Sequence, residues 1–399
     1  MFSILDKIKQ LNISNTEGQD IYKTQIVRHR RDIFTRVTIA VIFVVVVILS
    51  IVISIYNKKY TDYAVIAESD RIDSDDAKYI AYNGNVIKYS QDGAEAFDGK
   101  NNLLWNITFE MQKPKVVTCG DYAALGDFKG NKVFVISAAG VQSEIDMKLP
   151  VSNFCVSGQG IVAAVLEDDN ETKINLYAPT GDLLASMKCT MTKSGYPIDL
   201  SLSDDGMKLG VAYMRIENGD MKSSVAFYNF DDVGQNEIDN YVSGYDYIDT
   251  IVPKVKFINN DTAFALGDNK LVIYKGSQKP VSKYETFLPD EVKSVYYGQN
   301  NIALVFRDVE NAGNSRINVY DDKGNIKFSD SIGLEYTDIV VRDDYLIVYN
   351  DTECYMCCYN GKVKYDNTFA EPVLLLVPGK RMTKWTLVSR DEVQLVTLN

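Results

Sequence analysis

Histidine is almost missing from this chain. One occurs in 399 residues, and it is His29, inside a basic cluster that precedes a long apolar run. Everything after that run therefore lacks the imidazole of a Ser-His-Asp or Cys-His nucleophile and of a His-bearing zinc site. Glycine-rich phosphate loops are absent as well. So is the full Asp-x-Asp-x-Asp-Gly calcium spacing, to which DDNET at 168 and ENGD at 217 are weak approximations. Proline is scarce, at nine residues, and no low-complexity tract occurs, which argues for a compact globular chain. After residue 55 no apolar run approaches 18 residues, VLLLV at 373–377 being the longest, and this excludes a multi-pass membrane protein. These absences predict no cofactor and no metal. The catalytic option they leave open is carboxylate chemistry.

What is present begins with the apolar run from Val37 to Ile55, 19 residues broken only by Thr38, Ser50 and Ser54. As a helix it spans roughly 28 Å, close to the hydrocarbon thickness of a bilayer. Thirteen of its residues are Val or Ile, a composition suited to lipid rather than to a water-facing helix. A cleaved export signal would have a shorter apolar core and a small-x-small site, and 36 residues precede this run. The reading is an uncleaved signal anchor and a single-pass protein. Five basic residues (Lys23, Arg28, Arg30, Arg31, Arg36) precede the span, and only Lys58 and Lys59 follow it closely. The positive-inside rule then places residues 1–36 in the cytoplasm and the large C-terminal part outside. In the tail, Phe2, Leu5, Ile8 and Leu11 recur in threes as a short amphipathic helix.

Residues 1–36 carry a net charge of +3 (seven Lys/Arg, four Asp/Glu), and the remainder carries −15 (35 and 50). Such a body repels nucleic acid, so no nucleic-acid partner is expected. Six cysteines lie in the external part (Cys119, Cys155, Cys189, Cys354, Cys357, Cys358). Cys354-Tyr-Met-Cys357-Cys358 sits in an alternating pattern that ends at Asn360-Gly361. As a strand it turns Cys354 and Cys358 to one face and Cys357 to the other, which does not chelate. A structural role is expected for these thiols.

Beyond residue 76 the chain shows short strands separated by turns, and the pattern recurs. CGDYAALGDFKGNKVFVISAAGVQSEI at 119, SGQGIVAAVLEDDNETKINLYAPTGDLLASM at 157 and GQNNIALVFRDVENAGNSRINVYDDKGNIKF at 298 share one plan. A short strand (KVVT, FCV, SVYY) leads into a turn, an Ala/Leu/Val strand, a polar loop, a Val/Ile/Tyr strand, a Gly turn and an edge strand. First strands fall near 79, 115, 153, 198, 254, 292, 337 and 373, an average spacing of about 42 residues, which is the period of a β-propeller blade. The fold class is all-β. The expectation is eight four-stranded blades over residues 77–399, with seven as the alternative. The last piece, from Glu371, supplies only three strands, and Asp62–Ser69 within the segment 56–76 is the candidate fourth strand that closes the ring.

LSLSDDGMKLGVAYM, residues 200–214, resembles the first hairpin of WD-repeat and Tol-type blades, and the turns in LYAPTGDLL and VYDDKGNIKF resemble those of quinoprotein-like blades. Through WNITFEMQKPKVV and CGDYAALGDFKGNKVFV the chain resembles an uncharacterised family of bacterial single-pass membrane proteins with an external propeller. The resemblance covers about residues 30–399. It implies this fold and topology and carries no activity with it.

Two surface features stand out. Acidic residues recur after the second strand of the blades, among them Asp168, Asp169, Asp308, Asp351 and Asp391, as an acidic rim for a cation or basic partner, or as ordinary hairpin-turn residues. The stretch NFDDVGQNEIDNYVSGYDYIDTIVPKV carries Tyr241, Tyr245 and Tyr247, either as an exposed contact or as packing between blades. The expected function is a membrane-anchored binding or scaffold module for a protein or envelope polymer. The alternative is a carboxylate-based envelope hydrolase acting on glycans.

Overall fold

The computed structural model describes residues 28–399 apart from 30, 32, 52, 53, 55, 56, 72, 73, 75, 169, 170, 192, 193 and 312. Two compact units result, Met1–Lys59 and Tyr60–Asn399. In the first, the described residues include one helix long and apolar enough to cross a membrane, Ile33–Ile51, with no buried residue. The Thr35 and Thr38 hydroxyls donate back to the carbonyls of Arg31 (2.7 Å) and Phe34 (2.8 Å), so neither leaves a free donor on an apolar surface. Phe2, Leu5, Ile8 and Leu11 lie outside the described residues.

The second unit is a ring of eight four-stranded antiparallel sheets, so the eight-blade expectation holds and the seven-blade alternative does not. The innermost strands of blades 1 to 8 are Lys78–Tyr82, Pro114–Cys119, Val151–Val156, Tyr196–Leu202, Lys254–Phe257, Val292–Tyr297, Asp338–Val341 and Val373–Pro378. Blade 8 is built from both ends of the unit. Its outer strand is Tyr63–Asp70, paired antiparallel with Glu392–Leu398 from Tyr63 opposite Leu398 to Asp70 opposite Glu392.

Burial explains the sequence pattern. Second strands such as Thr262–Leu266 are buried on both faces because each lies between two neighbouring blades. Near the axis the wedge between blades is narrow, and fully buried alanines fill it: Ala123, Ala163, Ala212, Ala263 and Ala303. Outer strands such as Leu183–Cys189 alternate between exposed and buried positions. The core accordingly falls into eight clusters, each joining two adjacent blades. The cluster between blades 8 and 1 is the smallest, with six buried residues against ten to fourteen in the others. Arg71 reinforces that seam. Its guanidinium lies 3.9 Å from the Phe97 ring centre, pairs with Glu95 at 2.5 Å and donates to Asn101 Oδ1 at 2.5 Å.

The six thiols are free. Cys354 and Cys357 pack into different interblade clusters, one toward blade 8 and one toward blade 6, as strand alternation predicts. Burial raises the pKa of Cys354, Cys357 and Cys358, which keeps the thiols protonated and unreactive.

Because strands alternate in direction, loops between second and third strands share one face with the interblade connections. Loops between first and second strands share the other face with those between third and fourth.

Candidate functional site

Blade 4 breaks the eightfold pattern. Its two middle strands, Lys208–Glu217 and Asp220–Asn229, have ten residues each, where the middle strands of the other blades have five to seven. The extra length is a hairpin closed by Asn218 (φ 58°) and Gly219 (φ 91°), the backbone of a two-residue turn matched to strand twist. ENGD is therefore a hairpin turn. At the tip Ile216 sits opposite Met221, and the two are 70% and 53% exposed. Charges brace the base: Arg215 Nη1 lies 3.0 Å from Asp246 Oδ1, and Lys222 Nζ lies 2.9 Å from Glu217 Oε2.

Against this hairpin runs a groove of about 770 Å³ floored by tyrosine. The Tyr213 and Tyr228 hydroxyls are 2.9 Å apart, and the Tyr241 ring meets Tyr228 edge to face at 6.0 Å between centres. Tyr241 lies across Gly244, where a Cβ would collide with its hydroxyl. Met191, exposed, closes one wall.

The three tyrosines singled out in the sequence divide. All lie on the outer strand Tyr241–Tyr247 rather than in a loop. Tyr241 is 47% exposed and lines the groove. Tyr245 also lines it, but its ring is 5.1 Å from Tyr274, and its hydroxyl donates to Pro280 O (3.4 Å) and accepts from the Ser282 N–H (3.0 Å) in blade 5. Tyr247 is buried and bonded through its hydroxyl to that of Tyr274, so it packs blade 4 onto blade 5 and offers no contact surface. Sequence reasoning missed Tyr213, Tyr228, Ile216, Met221 and Met191. The available signal was the length of LGVAYMRIE and DMKSSVAFYN on either side of Asn-Gly.

The acidic residues do not converge. Asp168 is exposed, its N–H donating to Glu171 O at 2.9 Å, and Asp169 lies outside the described residues. Asp308 is buried and organises its own loop, accepting from the N–H groups of Glu310 (2.9 Å) and Asn311 (3.2 Å) and from Ser331 Oγ. Those hydrogen bonds, Ser331 foremost, hold its carboxyl at about 2. Asp351 and Asp391 are exposed, and their carbonyls accept from the N–H groups of Val373 (2.8 Å) and Arg71 (2.6 Å). Among the described residues no three His, Cys, Asp or Glu groups are placed to hold a metal ion.

A second cavity, about 900 Å³, lies on the axis and is lined by all eight blades. Its acids are engaged. Asp204 accepts from the Cys119 thiol at 3.4 Å. Asp205 accepts from the Met207 N–H at 3.0 Å. Asp338, whose pKa burial raises, accepts from the Ile339 N–H at 2.8 Å and the Tyr349 hydroxyl at 3.3 Å.

A model of one protein family matches residues 56–398, almost the whole described propeller. The chain belongs to DUF5711, a family of unknown function. No curated protein matches the chain. Among solved structures, this DUF5711 propeller is similar to Sqt1 from Chaetomium thermophilum, solved bound to the N-terminus of ribosomal protein L10. Identity is 11%, coverage 85% of this chain and all of the other, and the TM-score 0.54. Saccharomyces cerevisiae Sqt1 gives 12%, 86% and 99%, and 0.53. BamB from Moraxella catarrhalis gives 10%, 84% and 100%, and 0.49. At such identities the Sqt1 likeness shows the fold of this DUF5711 chain.

Proposed function

We propose that this chain is a single-pass, membrane-anchored propeller, displayed outside the cell, that binds a protein partner through the groove on blade 4. The carrying observation is the asymmetry of the ring. Among the described residues one blade alone extends its middle strands, and it exposes Ile216 and Met221 beside a floor of Tyr213, Tyr228 and Tyr241. Exposed aliphatic and aromatic side chains over a rigid floor are the composition of a protein contact. Sqt1, solved bound to the N-terminus of ribosomal protein L10, supports the reading by analogy of fold only. The anchor reading rests on Ile33–Ile51 and on the basic residues before it, which favour a cytoplasmic N-terminus.

A photocrosslinking residue in place of Ile216 in intact cells should give a discrete adduct, and one in place of exposed Lys283 on blade 5 should not. Met221→Asp should remove the adduct. Equal crosslinking from both positions, or none, overturns the groove. Protease added to intact cells should reach the propeller and spare residues 1–36; protection of the propeller overturns the topology. Turnover of an envelope glycan by the purified protein, abolished by changing one acid, overturns a purely binding role.

A further inference from the structure

The propeller is acidic overall, yet a lysine, Lys256, lines its axial cavity. Along Lys254–Phe257 the burial alternates: Val255 and Phe257 are packed between blades, and Lys254 and Lys256 share the opposite face. Asp199 of blade 4 and Lys254 of blade 5 both lie close enough to Lys115 of blade 2 to act on it electrostatically. Of the three lysines, Lys254 has a carboxylate partner, since its Nζ is 3.1 Å from Asp199 Oδ2, which also accepts from the Val255 N–H at 3.0 Å. Lys115 donates to the neutral Asn153 Oδ1 at 2.8 Å.

Lys256 is different. It lines the axial cavity, and its Nζ stands 5.4 Å from the Tyr297 ring centre. Among the described residues no carboxylate lies within 4.0 Å of it. Burial pulls its pKa down, but its surroundings, the Asp199 carboxylate among them, hold it above the ordinary lysine value, so the group stays charged. Beside it Cys119 is a neutral donor, its thiol pushed up to about 12 by burial and by Asp204. A partly desolvated ammonium without a counter-ion is costly, and an anion entering the cavity relieves that cost. Elsewhere the cavity wall includes Val340 of blade 7 and the edge of Leu375 of blade 8, whose body packs toward blade 1. Arg342 of blade 7 also lines the cavity, but its Nη2 donates to the Pro378 carbonyl at 3.0 Å, so Lys256 is the cation there with no hydrogen bond to the protein among the described residues, which suits a monoanion.

We propose that the axial cavity binds a small carboxylate with an aliphatic body, the carboxylate meeting Lys256 and the chain lying along Val340 and Leu375. This site is separate from the blade 4 groove and stands or falls independently of it.

Isothermal titration of the full chain in detergent with hexanoate, hexanamide and inorganic phosphate tests the assignment. Hexanoate should bind saturably with a Kd of about 1 mM or tighter, hexanamide at least about tenfold more weakly, and phosphate more weakly than hexanoate. Lys256→Met should abolish hexanoate binding, and Lys283→Met on the outer surface should not. Absence of hexanoate binding, or equal binding of hexanamide, overturns the site. Phosphate binding as tightly as hexanoate overturns the aliphatic part of the assignment. If Lys256→Met fails to fold, hexylamine replaces it as the control: binding of that cation as tight as that of hexanoate overturns the charge argument.

Discussion

At the scale of single residues, the tyrosines of blade 4 show how alike neighbours diverge. The register of the outer strand shifts between Phe227 and Tyr228 on its partner, so a bulge separates Tyr241 from Tyr245 and Tyr247. Simple alternation would turn all three the same way; the bulge turns Tyr241 out, leaving the other two against blade 5. Tyr241→Ala should therefore change unfolding free energy by less than about 0.5 kcal/mol. Tyr247→Ala should cost about 3–5 kcal/mol, as expected for a buried aromatic. Denaturant melts of the two variants decide this, and equal costs would mean that the groove tyrosine is also core. Asp308 makes a pH prediction. Its folded pKa of about 2 lies below the unfolded value of about 3.9, so its contribution is complete above pH 4 and is lost as pH falls toward 2. Asp308→Asn should lower the melting temperature at pH 7, with the difference from the parent protein shrinking between about pH 4 and 2. A difference that stays constant over that window would assign the loss to packing rather than to the charge.

Elements are where sequence and structure agree best. The innermost strands begin within two residues of the positions expected from the repeat, because each is followed by a turn whose Gly, Asn or Asp residues mark its end. Cys354 and Cys357 went to opposite clusters because period-two alternation survives in that strand up to the bulge at Cys357. The candidate site was less readable. Tyr213 and Tyr228 look like any strand aromatic, and only their stacking beside an overlong hairpin, a relation across three strands, makes a groove. Lys256 was unreadable for the same reason: nothing in KVKF tells which face meets the axis. The Arg71 seam is also an assembly of distant parts, and it yields a prediction at this scale. Arg71→Ala should cost about 2 kcal/mol through the lost stacking on Phe97 and the lost pair with Glu95. Arg71→Lys should not restore it, since an ammonium cannot reproduce the flat contact together with bonds to both Glu95 and Asn101. Full rescue by lysine in a denaturant melt would reduce the clamp to a simple point charge.

For the whole molecule the decisive feature is closure. A ring of stacked sheets is stable only if its last blade is completed, and here the completing strand comes from the start of the unit. Tyr63–Asp70 pairs with Glu392–Leu398, and residues beside it stitch it to blade 7 as well: the Tyr60 N–H donates to Lys364 O at 2.8 Å, and Asn367 Nδ2 donates to Thr61 O at 2.8 Å. The seam beyond, between blades 8 and 1, has the smallest apolar cluster of the ring, so the closing strand carries a larger share of the cohesion there. A protein beginning at residue 60 should unfold in one cooperative transition. One beginning at residue 71 loses seven register pairs, roughly 3–4 kcal/mol at about 0.5 kcal/mol each. For a unit of this size that is a fall of about 5 °C in Tm. It also bares the hydrogen-bonding edge of EVQLVTL, so the shorter protein should self-associate with rising concentration. Melting curves and sedimentation of the two forms measure both effects. A shorter protein that stays monomeric with an unchanged Tm would show that blade 8 holds with three strands and that closure by the first strand is dispensable.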